Sequence, residues 1–132
     1  MKVFGGRQTR PNIHIDDMVG VYQHFLARPD LPAGCYNAGF ENLSILEVAE
    51  LVRAEIPAEI VVTDSVDPRS YRQNSDKLLT TGFAPMRSVS VAIGDLVTAQ
   101  RGGGLNSDET CYTVQRMKQL GLAEQGRLAK AR

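Results

Sequence analysis

One stretch constrains the fold more than any other: a well-signed helix, a hard stop and a β-branched run, from Ser44 to Thr63. Ser44 and Glu47 form an S-x-x-E capping box, in which each side chain satisfies a backbone donor that the first helical turn leaves unpaired. Ile45, Val48, Ala49, Val52 and Ile56 then recur at helical spacing and define one apolar face, and Pro57 forbids continuation. Glu59-Ile-Val-Val-Thr63 follows, too short and too β-branched to prefer a helix. The switch of period within twenty residues, repeated elsewhere in the chain, points to α/β architecture.

The same alternation is visible upstream. Lys2-Val3-Phe4 reads as the end of a strand, turned at once by Gly5-Gly6, and a domain that opens on its last strand residues suggests further chain before it. Arg10 to Ile15 is extended, since Pro11 disfavours helix at Arg10. Asp16 and Asp17 suit the positive end of a helix dipole, with Met18, Val21, Tyr22 and Phe25 as its apolar face. Pro29 to Gly34 closes that helix, and Cys35-Tyr-Asn-Ala-Gly39 reads as a short strand. Downstream, Ser75 to Thr81 is a short helix ended by Gly82. Val89, Ile93, Leu96 and Val97 mark another, stopped by Gly102-Gly103-Gly104. Asn106 caps a last helix carrying Val114, Met117 and Leu120, with Gly121 at its end. The expected sheet is small, of about three strands, among several helices. Residues 1–105 form a binding subdomain, 106–122 its C-terminal helix, and 123–132 a polar tail prone to fraying.

Composition removes several functions. The 132 residues carry no formal net charge, which gives no broad attraction to nucleic acid or to an anionic membrane. Cys35 and Cys111 are isolated and His14 and His24 are the sole histidines, so no zinc spacing exists and no metal is expected. Two unpaired thiols suit a reducing compartment, although the spacing does not forbid a disulfide. No apolar run approaches the roughly 18 residues that span a bilayer, and no secretory leader is recognisable. A cytoplasmic location is the expectation.

Two basic, turn-flanked segments are the candidate ligand sites. Lys2, Arg7 and Arg10 lie among the first fourteen residues without an acid between them. The planar fork of Arg10 suits a phosphate, the alternative being a surface pair with Asp16 or Asp17. The second segment holds Asp67, Arg69, Tyr71, Arg72 and Lys77. There a carboxylate accepts from sugar hydroxyls while an arginine contacts phosphate or stacks on a base, the alternative being a solvated loop. His14, between Ile13 and Ile15, reads as a structural hydrogen-bonding residue, and Tyr36, Asn37 and Asn74 as residues that pin the backbone.

Taken in order, Val3-Phe-Gly-Gly6, Arg10-x-x-Ile-His-Ile-x-Asp17, Tyr36-Asn-Ala-Gly39, Asp67-x-x-x-Tyr71-x-x-x-Ser-x-Lys77 and Gly82-Phe-x-Pro85 resemble the C-terminal part of the extended short-chain dehydrogenase/reductase (SDR) family. The resemblance, over about residues 1–100, is to the NAD-dependent epimerases and dehydratases of nucleotide sugars, of the UDP-glucose 4-epimerase kind. It implies a nucleotide-diphosphate-sugar ligand: Lys2 and Phe4 beside the base, Arg10 on the diphosphate and Asp67 on the ribose. Several relatives place a further phosphate-binding arginine three residues before that aspartate. Asp64 stands there, leaving Arg69 or Arg72 to supply the charge.

The resemblance also implies what lies elsewhere. The family's NAD loop, G-x-x-G-x-x-G between a strand and a helix, is absent, and the glycines at 102–104 end a helix instead. Its proton-transfer pair, Y-x-x-x-K, is absent too: four residues after Tyr22, Tyr36, Tyr71 and Tyr112 stand Leu26, Phe40, Ser75 and Arg116. No catalytic residue is therefore assigned. The expectation is the substrate-binding subdomain of an extended SDR lacking its Rossmann half. NAD belongs to the intact enzyme, and the missing half or a partner chain supplies the chemistry. The alternative is a non-catalytic interaction module, with homo-oligomerisation open.

Overall fold

A computed structural model describes residues 1–67, 69–105, 108 and 111–121. The chain divides into two compact units, Met1–Val97 and Thr98–Arg132.

In the first unit, β1 (Lys2–Phe4) pairs in parallel with β4 (Val61–Thr63), and β2 (Thr9–Asn12) pairs antiparallel with β3 (Glu41–Ser44). Among the described residues there are thus two separate two-stranded ladders rather than one sheet of three strands. The reason lies at Gly5 and Gly6, whose φ angles of +79° and +85° swing the chain out of the first ladder before β2 begins. Gly5 N–H still donates to Thr63 O at 2.7 Å and closes the end of β4.

Helix α1 (Ile15–Ala27) starts as the acidic first turn requires, but its cap is His14, whose Nδ1 accepts from Asp16 N–H at 3.0 Å. That bond leaves Nε2 to carry the proton and donate to Asp95 Oδ2 at 3.3 Å. The expected structural role of His14 holds. Asp17 is buried and accepts from the backbone N–H groups of Met86 and Arg87 at 3.0 and 2.9 Å. Of the expected apolar face, Val21 is buried, Met18 and Phe25 are half-buried and Tyr22 is exposed.

Helix α2 (Ile45–Glu55) carries the predicted capping box: Glu47 N–H donates to Ser44 Oγ at 3.1 Å, and Ser44 N–H to Glu47 Oε2 at 2.7 Å. Those bonds hold the Glu47 carboxyl below its usual range. Ala49 is its buried residue, and Ile56 N–H caps the end on Val52 O before Pro57. The short α3 (Asp76–Leu79) contributes Leu78, which is fully buried, and ends at Gly82 with φ +90°. Val3, Val21, Ala49, Leu78, Ile93 and Val97 form the core.

Cys35–Gly39 is not a strand. It joins no ladder: the chain's next segment, β3, takes one edge of β2. Side chains hold it instead. The Ser75 hydroxyl accepts from Gly39 N–H and donates to Gly39 C=O, both at 3.0 Å. Lys77 Nζ donates to Cys35 O at 2.9 Å, and Asn37 Nδ2 to Asn74 O at 3.0 Å. Tyr36 donates its hydroxyl to Pro32 O, and Asn74 Oδ1 accepts from Asp76 N–H. The predicted pinning roles of Tyr36, Asn37 and Asn74 are these bonds.

Helix α4 (Val89–Arg101) begins where Glu41 Oε1 accepts from Val89 N–H at 2.7 Å. Its last residues open the second unit, where Gly104 N–H returns to Ala99 O at 2.8 Å and Gly103 takes φ +70°. Helix α5 (Thr113–Gln119) ends at Gly121, as expected, but Val114, Met117 and Leu120 are all exposed. The expected Asn106 cap and the 123–132 tail lie outside the described residues. Both cysteines are exposed thiols, not a disulfide.

Candidate functional site

The two basic segments meet. Strand β2 has β3 on one side, and residues 70–71 approach the other: Tyr71 N–H donates to Thr9 O at 3.2 Å, and Thr9 N–H to Ser70 Oγ at 3.0 Å. That docking brings Arg10, Asp67, Arg69 and Tyr71 together although up to 61 residues separate the partners in sequence.

Arg10 is fixed from beneath. Its Nη1 donates to Thr9 O at 2.9 Å and to Arg69 O at 2.5 Å. Its Nη2 lies 3.5 Å from Asp67 Oδ2, and the guanidinium sits 4.9 Å from the Tyr71 ring centroid. The alternative partners, Asp16 and Asp17, are engaged elsewhere, Asp16 with Arg87 at 3.6 Å. Among the described residues, the Arg10 Nε–H meets no acceptor, so one edge of the fork stays open to a ligand. A planar cation held by two carbonyls and an aromatic face is a preorganised anion contact.

Asp67 is an anion held by hydrogen bonds from Arg69, which keep its carboxyl well below the usual carboxylate range. Arg69 Nε and Nη2 reach its two oxygens at 2.8 Å each, and Arg69 N–H reaches Oδ1 at 3.1 Å. The same contacts raise the Arg69 guanidinium. Gln8 ties this loop to β1: its Nε2 donates to Asp67 O at 3.2 Å and to Phe4 O at 3.3 Å. Phe4 is exposed at that junction, and Lys2 shares its face of β1 by strand alternation.

Arg72 does not join the cluster. It lines a cleft of about 580 Å³ with Asn42, Gln73, Asn74 and Asp76, and its charge acts on Glu47. The amides of that cleft serve the backbone, Asn42 bonding Gln73 O and Gln73 N–H at 3.0 and 2.8 Å. Sequence reasoning left Gln8 outside the candidate segments and gave Tyr71, although inside the second one, no role beneath Arg10. Tyr71 stood in the quoted motif, but nothing local marks a ring 61 residues away as the floor beneath Arg10.

Other polar groups are structural. Thr81 donates its hydroxyl to Leu78 O at 2.6 Å, so His24 Nε2, at 2.9 Å from Thr81 Oγ1, donates to it. Among the described residues, no group of three His, Cys, Asp or Glu side chains could hold a metal. Tyr112 and Arg116, the nearest approach to Y-x-x-x-K, stand around the first turn of α5, where Arg116 Nη1 contacts Gln119 Oε1 at 3.5 Å.

No protein-family model matches the chain, and no curated protein does. Among solved structures, that of RMD from Pseudomonas aeruginosa complexed with NADPH is similar, with a TM-score of 0.58 and 23% identity. The fold is SDR-like. The match covers 70% of this chain and 32% of that one, so the chain spans about a third of the length of its SDR-like neighbour.

Proposed function

We propose that the chain grips the nucleotide-diphosphate portion of a nucleotide sugar for an NAD-dependent epimerase or dehydratase and does not turn over substrate alone. Arg10 carries the reading. It is the cation whose backbone and guanidinium are both fixed, with an open donor edge beside a carboxylate. Arg10 takes a diphosphate oxygen, Asp67 the ribose hydroxyls, and Phe4 and Lys2 flank the base. Arg69 supplies a second positive charge nearby. Arg72, in the neighbouring cleft, serves the sugar end or none of the ligand. The NADPH in the SDR-like neighbour supports nicotinamide chemistry in the whole enzyme, in a part beyond the residues seen here. No described helix is long and apolar enough to cross a membrane, and two exposed thiols suit a cytoplasmic protein.

The test is calorimetric titration of the folded chain with UDP, GDP, CDP and dTDP, beside Arg10→Ala. Binding of one nucleotide, weakened at least tenfold in the variant, is expected, since a charge-assisted contact to phosphate is lost. Equal affinity in the two proteins removes Arg10 from the site.

A second reading, a module that docks on another chain or on the rest of an SDR-like enzyme, has its own observation. Ile15, Val19, Tyr22 and Leu26, spaced as one stripe along α1, are 48–83% exposed. Beside α1 lies a groove of about 660 Å³ lined by Met18, Tyr22, Phe25, Leu31, Tyr36 and Ala38. A contiguous apolar face of this kind marks an association surface. The two readings are compatible: one names the ligand, the other the face that completes the protein.

A further inference from the structure

The acceptor positions of Asp67 are all occupied by the chain itself. A carboxylate offers about four lone-pair sites. Oδ1 takes the Arg69 N–H and Nε–H, and Oδ2 takes Nη2–H groups from Arg69 and Arg10. A ligand that donates hydrogen bonds to Asp67 must therefore displace something. The two arginines are not equally displaceable. Arg10 is 23% exposed and anchored by two carbonyls and the Tyr71 ring, whereas the Arg69 side chain is 77% exposed. Among the described residues, the Arg69 guanidinium has no hydrogen-bond or ion-pair partner besides Asp67.

We propose that Arg69 is a displaceable guard on Asp67: its Nε/Nη2 edge holds the two acceptor positions that a vicinal diol takes, and it swings away when the diol arrives. The proposal rests on the nucleotide reading above. Once Arg69 leaves, its own backbone N–H still holds Oδ1 and Arg10 still holds Oδ2. One acceptor position then opens on each oxygen, side by side, as two neighbouring hydroxyls require. The role of the Arg69 guanidinium is to keep the carboxylate paired while the site is empty. Exposed ion pairs are weak, so displacement lowers affinity by a factor of about 2 to 5. The guard acts as a selector: a ligand lacking the diol cannot recover what displacing Arg69 loses.

The experiment has two arms. The first reads the guard without ligand: the Arg69 Nε–H resonance, assigned in ¹⁵N-labelled protein, is compared with that in Asp67→Asn. A downfield, slowly exchanging signal that collapses in the variant is expected; an unchanged signal overturns the pairing. The second titrates wild type and Arg69→Ala with UDP and with 2′-deoxy-UDP. Expected is a gain of about 2- to 5-fold for UDP in Arg69→Ala and no gain for the deoxy nucleotide. A parallel loss for both makes Arg69 a direct phosphate contact and overturns the guard. If the resonance behaves as expected but neither nucleotide binds either protein, the same pair of titrations is made with GDP and CDP and their 2′-deoxy forms; silence from all of them fails the nucleotide reading, and the guard role falls with it while the ion pair stands.

Discussion

Ser75 is the residue whose removal tests the architecture most sharply. Among the described residues its side chain is the one hydrogen-bonding partner of both backbone groups of Gly39, which is buried, and the contacts are two good bonds at 3.0 Å. Ser75 also precedes α3, but its side chain makes no capping bond there, so Ser75→Ala isolates the Gly39 contact from any helix effect. The substitution leaves a buried donor and a buried acceptor unpaired, each at a cost of about 1–3 kcal/mol, partly relieved by local adjustment. The expected loss is about 2–4 kcal/mol. With a urea dependence of about 2 kcal/mol per molar for a chain of this size, the unfolding midpoint falls by about 1–2 M. Far-UV circular dichroism and tyrosine fluorescence follow the transition, the chain having no tryptophan. Exposed Ser90, changed to alanine, is the control and stays within about 0.5 kcal/mol. A loss below about 0.5 kcal/mol in Ser75→Ala would falsify the argument, because water would then be reaching both Gly39 groups.

Two other expectations follow from the geometry. Asp67 is held ionised by Arg69, so its folded-state pKa lies below its unfolded one, near 3.9. Its contribution is therefore complete above about pH 4 and is lost as the pH falls below that. The urea midpoint of the wild type should drop more steeply below pH 4 than that of Asp67→Asn, and parallel curves would remove Asp67 from the acid response. The α1 stripe should drive association: at tens of micromolar the wild type sediments above monomer mass, while Tyr22→Glu with Leu26→Glu sediments as monomer with unchanged circular dichroism. A wild type that stays monomeric at the highest attainable concentration removes the docking face.

How much of this was legible depends on where each contact partner lies in the chain. The α2 cap was readable because Ser44 and Glu47 are three residues apart, and its stop because Pro57 acts on its own turn. The acidic start of α1, the glycine ends of α3 and α5, and the helix α4 up to its glycines were local in the same sense. Strand β3 was not readable, since Glu-Asn-Leu-Ser has no β-branched signal and is a strand by pairing with β2. Cys35–Gly39 went the other way: its pattern is strand-like, but the ladder position beside β2 is taken.

The site divides along the same line. The sequence alone determined which groups are available: a cation in a short extended segment, a carboxylate two residues ahead of another cation, and no NAD loop or Y-x-x-x-K pair in these 132 residues. The tertiary structure decided how they are used. Docking of residues 70–71 against β2 turned Arg10 away from Asp16 and Asp17, set it over Tyr71, and aimed it at Asp67. It left Arg72 in another cleft and saturated Asp67 with Arg69. Caps and turns are set by interactions within one helical turn, which sequence spacing encodes. A binding cluster is set by which backbone edges meet, and that depends on burial and pairing across the whole first unit.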